Sequence, residues 1–427
     1  MVSVPRPRIV SRSTDLEAED LPEQVTIGLR ELIGAAKEGV LALSVGVGLA
    51  VVQEIFEAEV TRLAGPKGKH DPDRGAYRHG QEERQVTLGG RRVQVSKPRV
   101  RSVADEEMEL RTFRAFAKRD LLNQAALGRM LAGLSTREYP VGLEPIGQVE
   151  ARGTSKSAIS QRFIEGTERK LAELFGRDLS QLNLVAMFID GVEIGEHCIV
   201  VALGVDADGR KHPLGLWEGT TENKTICNAL LGNLIERGLT IEQPRLFVID
   251  GGKAIRAAVM STFANYAIVH RCREHKRRNV LEHLPQAERT FVSRKLYKAW
   301  NEPDAKRAES QLRTLAKQLE VKHPGAAASL LEGLDETLTV TRLGLSGSLL
   351  ETFKSTNPIE SMISIARTVT GNVKRWRNGK MALRWTAAGL LDAEKRFRRV
   401  KGYREMAVLQ VALRTHHQGL APVRKSA

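Results

Sequence analysis

Three acidic residues could carry chemistry in this sequence. Asp190 closes the apolar run Leu184-Val185-Ala186-Met187-Phe188-Ile189, and Asp250 closes a second run of the same form, Leu246-Phe247-Val248-Ile249; a glycine follows each. Short apolar runs ending in turn signals read as buried strands. A carboxylate at such a strand end is costly alone and reasonable when a cation neutralises it. Glu360 stands in the first turn of a well-signalled helix, Ser355-Thr356-Asn357-Pro358-Ile359-Glu360, with Thr356 or Asn357 as the cap and Pro358 at the first helical position. Two divalent ions roughly 3.5–4 Å apart can activate an attacking oxygen and stabilise a leaving one. Mg²⁺, or Mn²⁺ in its place, is bound by a few carboxylates and water. On this reading Asp190 bridges both ions, Asp250 and Glu360 each complete one side, and no histidine base is needed. Singly, each residue has an ordinary explanation: an Asp-Gly after a strand is a turn, and a first-turn Glu pairs with the helix dipole. Arg367, seven residues after Glu360 and close to the same helix face, and Lys253, at a helix start just after Asp250, are candidate phosphate contacts.

Composition agrees with a polyanionic partner. The 427 residues carry a formal charge of +15, with 41% hydrophobic residues, enough for real cores. Cysteine is sparse, at Cys198, Cys227 and Cys272, which argues against a disulfide scaffold and for a reducing compartment. No secretory signal is legible in Met1–Arg12, and the most apolar run, Gly39 to Val52, is shorter than the ~20 residues of a membrane span. The expectation is a cytoplasmic, nucleoid-associated protein that binds double-stranded DNA and no membrane.

The elements that must position the acids follow in order. Residues 1–20 read as a disordered lead-in and 21–180 as an N-terminal DNA-binding region. In it, a helical pattern from about Glu23 to Leu63 precedes a basic hairpin, Gln85–Leu88 and Arg91–Val95 around Gly89-Gly90, continued by Lys97-Pro98-Arg99-Val100-Arg101. The hairpin is either an electrostatic DNA grip or an ordinary solvated hairpin. Ile146 to Phe163 reads as a helix-turn-helix presenting Lys156 and Arg162 to DNA, or as a plain helical hairpin. From Leu184 the pattern is β-β-β-α-β-α-β, the order of a ribonuclease-H-like core (181–275) with acids on neighbouring central strands. An all-helical insertion (276–350), a returning core helix with a basic segment (351–405) and a tail (406–427) complete an α/β chain. The basic segment holds Lys374, Arg375, Arg377, Lys380, Arg384, Arg396, Arg398 and Arg399, with Trp376 and Trp385 interleaved; these suit phosphate neutralisation and stacking on unpaired bases, or a surface helix with core tryptophans.

Ile189-Asp190-Gly191-Val192, Val248-Ile249-Asp250-Gly251-Gly252-Lys253, the block Arg271 to Val280 and Ser355 to Glu360 together resemble the signature blocks of the Mutator-type transposases of bacterial insertion sequences. Arg78-His79-Gly80 is similar to their N-terminal R-N-G pattern, with His in place of Asn, and Pro358 stands where a small residue is usual. The resemblance, over residues 20–405, implies a DDE triad of Asp190, Asp250 and Glu360 with Arg367 in the trailing basic position. It implies a ribonuclease-H-like domain interrupted by helices, and cutting and joining at an element's terminal inverted repeats and its target DNA, by a homodimer or larger assembly. Cys272-x-x-His275 matches a short Cys/His motif of these proteins. A zinc site needs about four ligands, so a structural role near the active site is favoured over zinc. The alternatives are a nuclease of the same fold that cuts without joining, and a catalytically silent DNA-binding descendant of a transposase.

Overall fold

The computed structural model describes residues 45–69, 74–88, 91–118, 151–152, 156–371, 373 and 375–420. The expected lead-in, most of the first expected helix, the hairpin's Gly89-Gly90 turn and the first helix of the proposed helix-turn-helix lie outside these residues, as does Lys374. The chain forms two compact units, residues 1–163 and 164–427.

In the first unit, helix α1 (Val45–Ala64) accompanies a long hairpin, β1 (Ala76–Leu88) and β2 (Arg91–Ser102), edged by β3 (Glu107–Met108) and followed by α2 (Arg111–Lys118). The hairpin is longer than the sequence suggested. Its pairing shifts between Arg78 and Gln81, and Gly80, at a φ of 75°, occupies the break in a conformation that suits glycine. Val52, Phe56, Val86, Val93, Val95 and Phe116 form one core. Buried Glu59 on α1 accepts the Arg111 and Thr112 N–H groups, each at 3.0 Å, and the Thr112 hydroxyl, and so caps α2. The hairpin's charges are locally paired. Lys97 meets Glu82 at 2.8 Å, Arg99 meets Glu107 at 2.6 Å, Arg101 meets Asp105 at 2.9 Å, and Arg78 meets Glu57. The basic run, read either as a DNA grip or as a solvated hairpin, thus has Lys97, Arg99 and Arg101 paired with neighbouring acids.

A short strand, β4 (Ala151–Arg152), pairs with β2. Helix α3 (Lys156–Phe175) spans the division between the units, and its Leu171, Leu174 and Phe175 join the second unit's core. That core is built on a five-stranded sheet of β5 (Leu184–Ile194), β6 (His197–Asp206), β7 (Lys211–Gly219), β8 (Arg245–Ile249) and β9 (Ala267–Arg271), in the order β7-β6-β5-β8-β9. The first three strands are antiparallel and β5, β8 and β9 are parallel. Helix α4 (Lys224–Glu236) carries the chain from edge strand β7 across to β8, and α5 (Lys253–Phe263) provides the crossover that the parallel neighbours β8 and β9 need. Asn223 caps α4, accepting the Ile226 N–H at 3.1 Å.

The sheet is covered on both faces, and side-chain alternation sorts the strands accordingly. On β5, Phe188, Val192 and Ile194 belong to one core, whereas Met187 and Ile189 belong to the other, with Leu230, Leu234 and Phe263 from α4 and α5. On β8, Leu246 and Val248 face the first core, and Phe247 and Ile249 the second.

Helix α6 (Arg273–Glu282) leaves β9 for the helical insertion: α7 (Gln286–Trp300), α8 (Ala305–Glu320), α9 (Pro324–Leu331) and the short α10 (Leu334–Thr337) and α11 (Thr339–Arg342). These helices own a separate core. On α8, Ala308, Leu312, Leu315, Ala316 and Leu319 recur at helical spacing on its buried face. The chain returns through α12 (Gly347–Phe353), α13 (Asn357–Thr370) and α14 (Gly379–Glu394). Two readings change here. Residues 406–427, read as a tail, begin with α15 (Met406–Leu420), whose Met406, Leu409 and Leu413 are buried in the main core at a helical spacing that was present but unread. Trp385 is 8% exposed and meets Trp376 edge-on at 6.3 Å, while Trp376 lies against Gly195 in the β5–β6 turn. The two tryptophans pack on the fold, as the core alternative of the two readings has it. No helix among the described residues is long and apolar enough to cross a membrane.

Candidate active site

Asp190 does not end its strand. β5 runs on to Ile194, and Asp190 still pairs with Val201 of β6. Only the pairing with β8 stops there. Ile189 and Ile249 form the last registered pair, so Asp190 and Asp250 are the next residues on two parallel neighbours, whose strands run about 4.8 Å apart. Gly191 was read as the turn after the strand; it lies inside the strand and serves another purpose, given below. Each aspartate accepts a nearby backbone N–H on Oδ1: Gly191 at 3.0 Å for Asp190, and Gly252 at 2.8 Å for Asp250.

The alternation that puts Phe188 and Val192 in the first core puts Asp190 on that face too, and Asp250 follows Val248 in the same way. This face is covered by α13, through Ile359, Met362, Ile363 and Ala366, and by Phe353, whose ring stacks on Phe188 at 5.8 Å. Packing of α13 on this face brings Glu360 within electrostatic reach of Asp190. The electrostatics record the convergence. Burial, then Asp250 and also Glu360, push the Asp190 carboxyl up to about 7, against the pull of His275 and the Gly191 N–H. Among the described residues, the three carboxylates do not all approach within 4.8 Å of one another.

A fourth carboxylate was missed in the sequence. Glu222, just before α4, lies over the glycines that follow the two aspartates. A Cβ on Gly191 would fall 2.7 Å from its Oε2, and one on Gly252 would fall 2.5 Å from its Oε1. Burial and the Asp250 charge both push the Glu222 carboxyl upward. The paired glycines were the available signal: they leave room for a group arriving from another part of the chain.

Cys272 and His275 flank the site from β9 and α6. The Cys272 sulfur caps α6, accepting the His275 N–H at 3.5 Å and the Thr356 N–H at 3.4 Å. His275 Nδ1 lies 3.8 Å from Glu360 Oε1. Hydrogen bonding with Cys272 raises His275 to about 9 against its own burial, with the Cys272, Glu360 and Asp190 charges adding to the rise. Burial pushes the Cys272 thiol up, but hydrogen bonds from His275 and Thr356 outweigh it and the net shift is downward. Cys272, His275 and Glu360 offer donor atoms within 4.8 Å of one another. That is three of the four ligands of a structural zinc site, and the sulfur already serves as acceptor to two backbone N–H groups.

The rest of this block anchors the helical insertion. Arg273 is 3% exposed and donates to Thr337 O at 3.0 Å, Trp300 O at 2.9 Å and Thr341 Oγ1 at 2.6 Å. Lys276 donates to Ser329 O at 2.6 Å. Arg271 lies between Gly251, next to Asp250, and Gly333 of the insertion, and reaches Glu332 at 3.4 Å and Glu336 at 3.5 Å. One short segment thus holds the insertion through Arg271, Arg273 and Lys276 and flanks the acidic site through Cys272 and His275.

Lys253, Arg367, Arg375 and Arg377 are exposed and make no ion pair among the described residues. Lys253 opens α5 directly after the Asp250 loop, and Arg367 lies on α13 with Glu360. Other cations of the basic segment are committed: Lys380 to Glu168 at 3.1 Å, Arg396 to Asp392 at 2.7 Å, and Arg384 to a buried position. Lys156 lies on α3, and the side chains of Lys156 and Arg162 are outside the described residues, as is Lys374.

Comparison with known proteins identifies the family. Residues 30–400 match the family described as Transposase, Mutator family. The chain is 26% identical over 362 residues to the transposase for insertion sequence element ISRM5 of Rhizobium meliloti (strain 1021), covering 83% of this chain and 89% of the relative. It is 29% identical over 247 residues to the transposase for IS6120 of Mycolicibacterium smegmatis, covering 56% and 74%. It is 25% identical over 321 residues to the transposase for IS905 of Lactococcus lactis subsp. lactis (strain IL1403), covering 73% and 78%. With a family match across most of its length and insertion-sequence transposases among its relatives, the chain belongs to the Mutator family of transposases.

Proposed function

We propose that this chain is a DDE transposase with a ribonuclease-H-like core, acting on the double-stranded DNA ends of an insertion sequence by metal-dependent cleavage and strand transfer. The observation that carries the reading is the convergence of Asp190 and Asp250, adjacent on parallel strands, with Glu360 from the helix packed on the same face. The sheet order and the helical insertion support the same fold.

The donor set fits hard divalent cations. All the groups are carboxylate oxygens, as Mg²⁺ or Mn²⁺ prefers, and Asp190 is a half-buried acid pushed upward by desolvation and its acidic neighbours, a cost that a cation removes. Asp190, Asp250 and Glu360 would hold such ions. When bound, such ions activate the attacking oxygen and stabilise the leaving oxygen of a phosphodiester. The chain's own contribution is placement. The sheet holds the aspartates in register, α13 holds the glutamate, and exposed Lys253 and Arg367 are cations suited to phosphates at the site's edge. Arg375 and Arg377, likewise exposed, suit a DNA backbone further along.

Incubation of the purified chain with its element's terminal inverted repeats and Mg²⁺ or Mn²⁺ tests this reading. Strand cleavage followed by joined products is expected. Cleavage without joining would identify a nuclease, and binding without cleavage a silent DNA-binding descendant.

A further inference from the structure

We infer that Thr356 is a positioning residue for Glu360, its hydroxyl fixing one carboxylate oxygen in place; this rests on the reading of Glu360 as a metal ligand. Thr356 occupies the N-cap of α13, where a threonine hydroxyl ordinarily accepts a backbone N–H from the first turn. Here it makes no such bond. The hydroxyl donates instead to Glu360 Oε1 at 2.6 Å. The cap has given up its usual stabilising role, and its side chain serves the one acidic residue in the first turn of that helix.

The surrounding hydrogen bonds leave the Thr356 hydroxyl little choice. Its oxygen lies 2.6 Å from Glu360 Oε1, 3.2 Å from His275 Nδ1 and 3.4 Å from Cys272 Sγ. A hydroxyl has one proton to donate and accepts on its oxygen. An ionised carboxylate can only accept, so the shortest contact receives the proton. His275 Nδ1–H then donates to the hydroxyl oxygen. The direction is Nδ1–H of His275 to Thr356, and Thr356 to Glu360.

Thr356 is itself held from three sides. It is fully buried, and its N–H donates to the Cys272 sulfur. One residue pair away, the Arg273 N–H donates to Lys354 O at 3.0 Å, tying the α12–α13 turn to the start of α6. Its own carbonyl accepts the Ile359 and Glu360 N–H groups, each at 3.0 Å, so backbone and side chain together locate Glu360. The Cys272-x-x-His275 motif thereby gains a task that requires no metal of its own. It orients the hydroxyl that orients the carboxylate. Partners that orient a ligand in this way typically contribute 10–100-fold in metal affinity.

The test is Mn²⁺ binding by the full chain, followed by electron paramagnetic resonance. Thr356→Val keeps the shape and removes the hydroxyl; it is expected to weaken binding about tenfold, while Thr356→Ser, which keeps the hydroxyl, stays within about twofold of the native chain. In a Glu360→Gln background, Thr356→Val is expected to cause no further loss, because the partner oxygen's charge is gone. Native-like Mn²⁺ binding by Thr356→Val overturns the inference. So does an equal loss in the native and Glu360→Gln backgrounds, which marks a merely structural role. Should Thr356→Val not fold, Thr356→Ala read against Thr356→Ser makes the same comparison. If Glu360→Gln alone leaves Mn²⁺ binding unchanged, the metal-ligand reading itself fails, a result distinct from failure of the positioning role.

Discussion

The hairpin of the first unit and the acidic end of the sheet in the second both concentrate charge, and they treat it in opposite ways. On the hairpin, acids sit beside bases. Lys97 and Arg84 hold the Glu82 carboxyl down at about 2, and Arg99 does the same for Glu107 in direction. At the sheet end, like charges sit together. Asp190 is raised to about 7 by burial and by its acidic neighbours, and Glu222 is raised by burial and Asp250. A charge that supports only structure is cheapest when paired. Acids held against their preference mark a place where something else supplies the compensation. The contrast separates function from architecture more clearly than net charge does, since both regions lie in a chain of +15.

The widest way to break the comparison is at Asp190. Asp190→Asn or Glu360→Gln is expected to lower metal-dependent cleavage of element ends by roughly a thousandfold or more, with end binding retained; a gel assay of cleaved and bound DNA reads both. An Asp190→Asn protein that still cuts in Mg²⁺ would falsify the site assignment.

Next in size is the anchor block, where buried cations are paired with carbonyls. Arg273→Met leaves the Thr337 and Trp300 carbonyls without their donor and is expected to destabilise the second unit by about 2–4 kcal/mol, measured by urea unfolding. An unchanged midpoint would show that the insertion is held elsewhere.

The acidic site has a stability signature of opposite sign. The folded Asp190 pKa lies above its unfolded value of 3.8, so between about pH 4 and 7 the folded chain binds the extra proton. Stability of the metal-free protein then falls as pH rises through that window. Each unit of pKa is worth about 1.4 kcal/mol, and screening reduces the total, so Asp190→Asn is expected to stabilise the metal-free protein at pH 8 by about 1–3 kcal/mol. Added Mg²⁺ should stabilise the native chain and leave Asp190→Asn nearly unmoved. Thermal melts at pH 5 and pH 8, with and without Mg²⁺, decide it; a destabilised Asp190→Asn at pH 8 would contradict the electrostatic reading.

The smallest effect belongs to the hairpin. Glu82 is depressed from 4.5 to about 2, so its contribution is present above pH 4.5 and is lost as pH falls toward 2. Glu82→Gln should cost about 0.5–1 kcal/mol at pH 7 and nothing below pH 2. A cost that persists at pH 2 would mean packing, not pairing, is at work.

Much of this was legible in the chain. The β-β-β-α-β-α-β order, the helix Lys253–Phe263 and the helix opening at Asn357-Pro358 all follow from local periodicity and punctuation, and the observed elements match them closely. What misled was also local. Asp190-Gly191 reads as a turn, yet β6 continues to pair beyond it. The interleaved tryptophans read equally as stacking groups or as core, and only the fold shows Trp385 buried and Trp376 against the β5–β6 turn. The basic hairpin reads either as a DNA grip or as a solvated hairpin, and only the fold shows its Lys97, Arg99 and Arg101 paired with neighbouring acids.

The amino-acid order alone determined which residues could be acidic ligands and which elements carry them, because strand and helix periods and cap chemistry act over a few residues. Tertiary structure decided which face they share. Parallel registration of β5 with β8 sets Asp190 beside Asp250, and the packing of α13 on that face brings Glu360. It also brought in Glu222, across two glycines, and turned the Thr356 hydroxyl from a helix cap into a support for Glu360. Glu222 and the Cys272 and His275 partners of Thr356 come from segments far apart in the chain, fixed by close packing and hydrogen-bond satisfaction, and no local period encodes them.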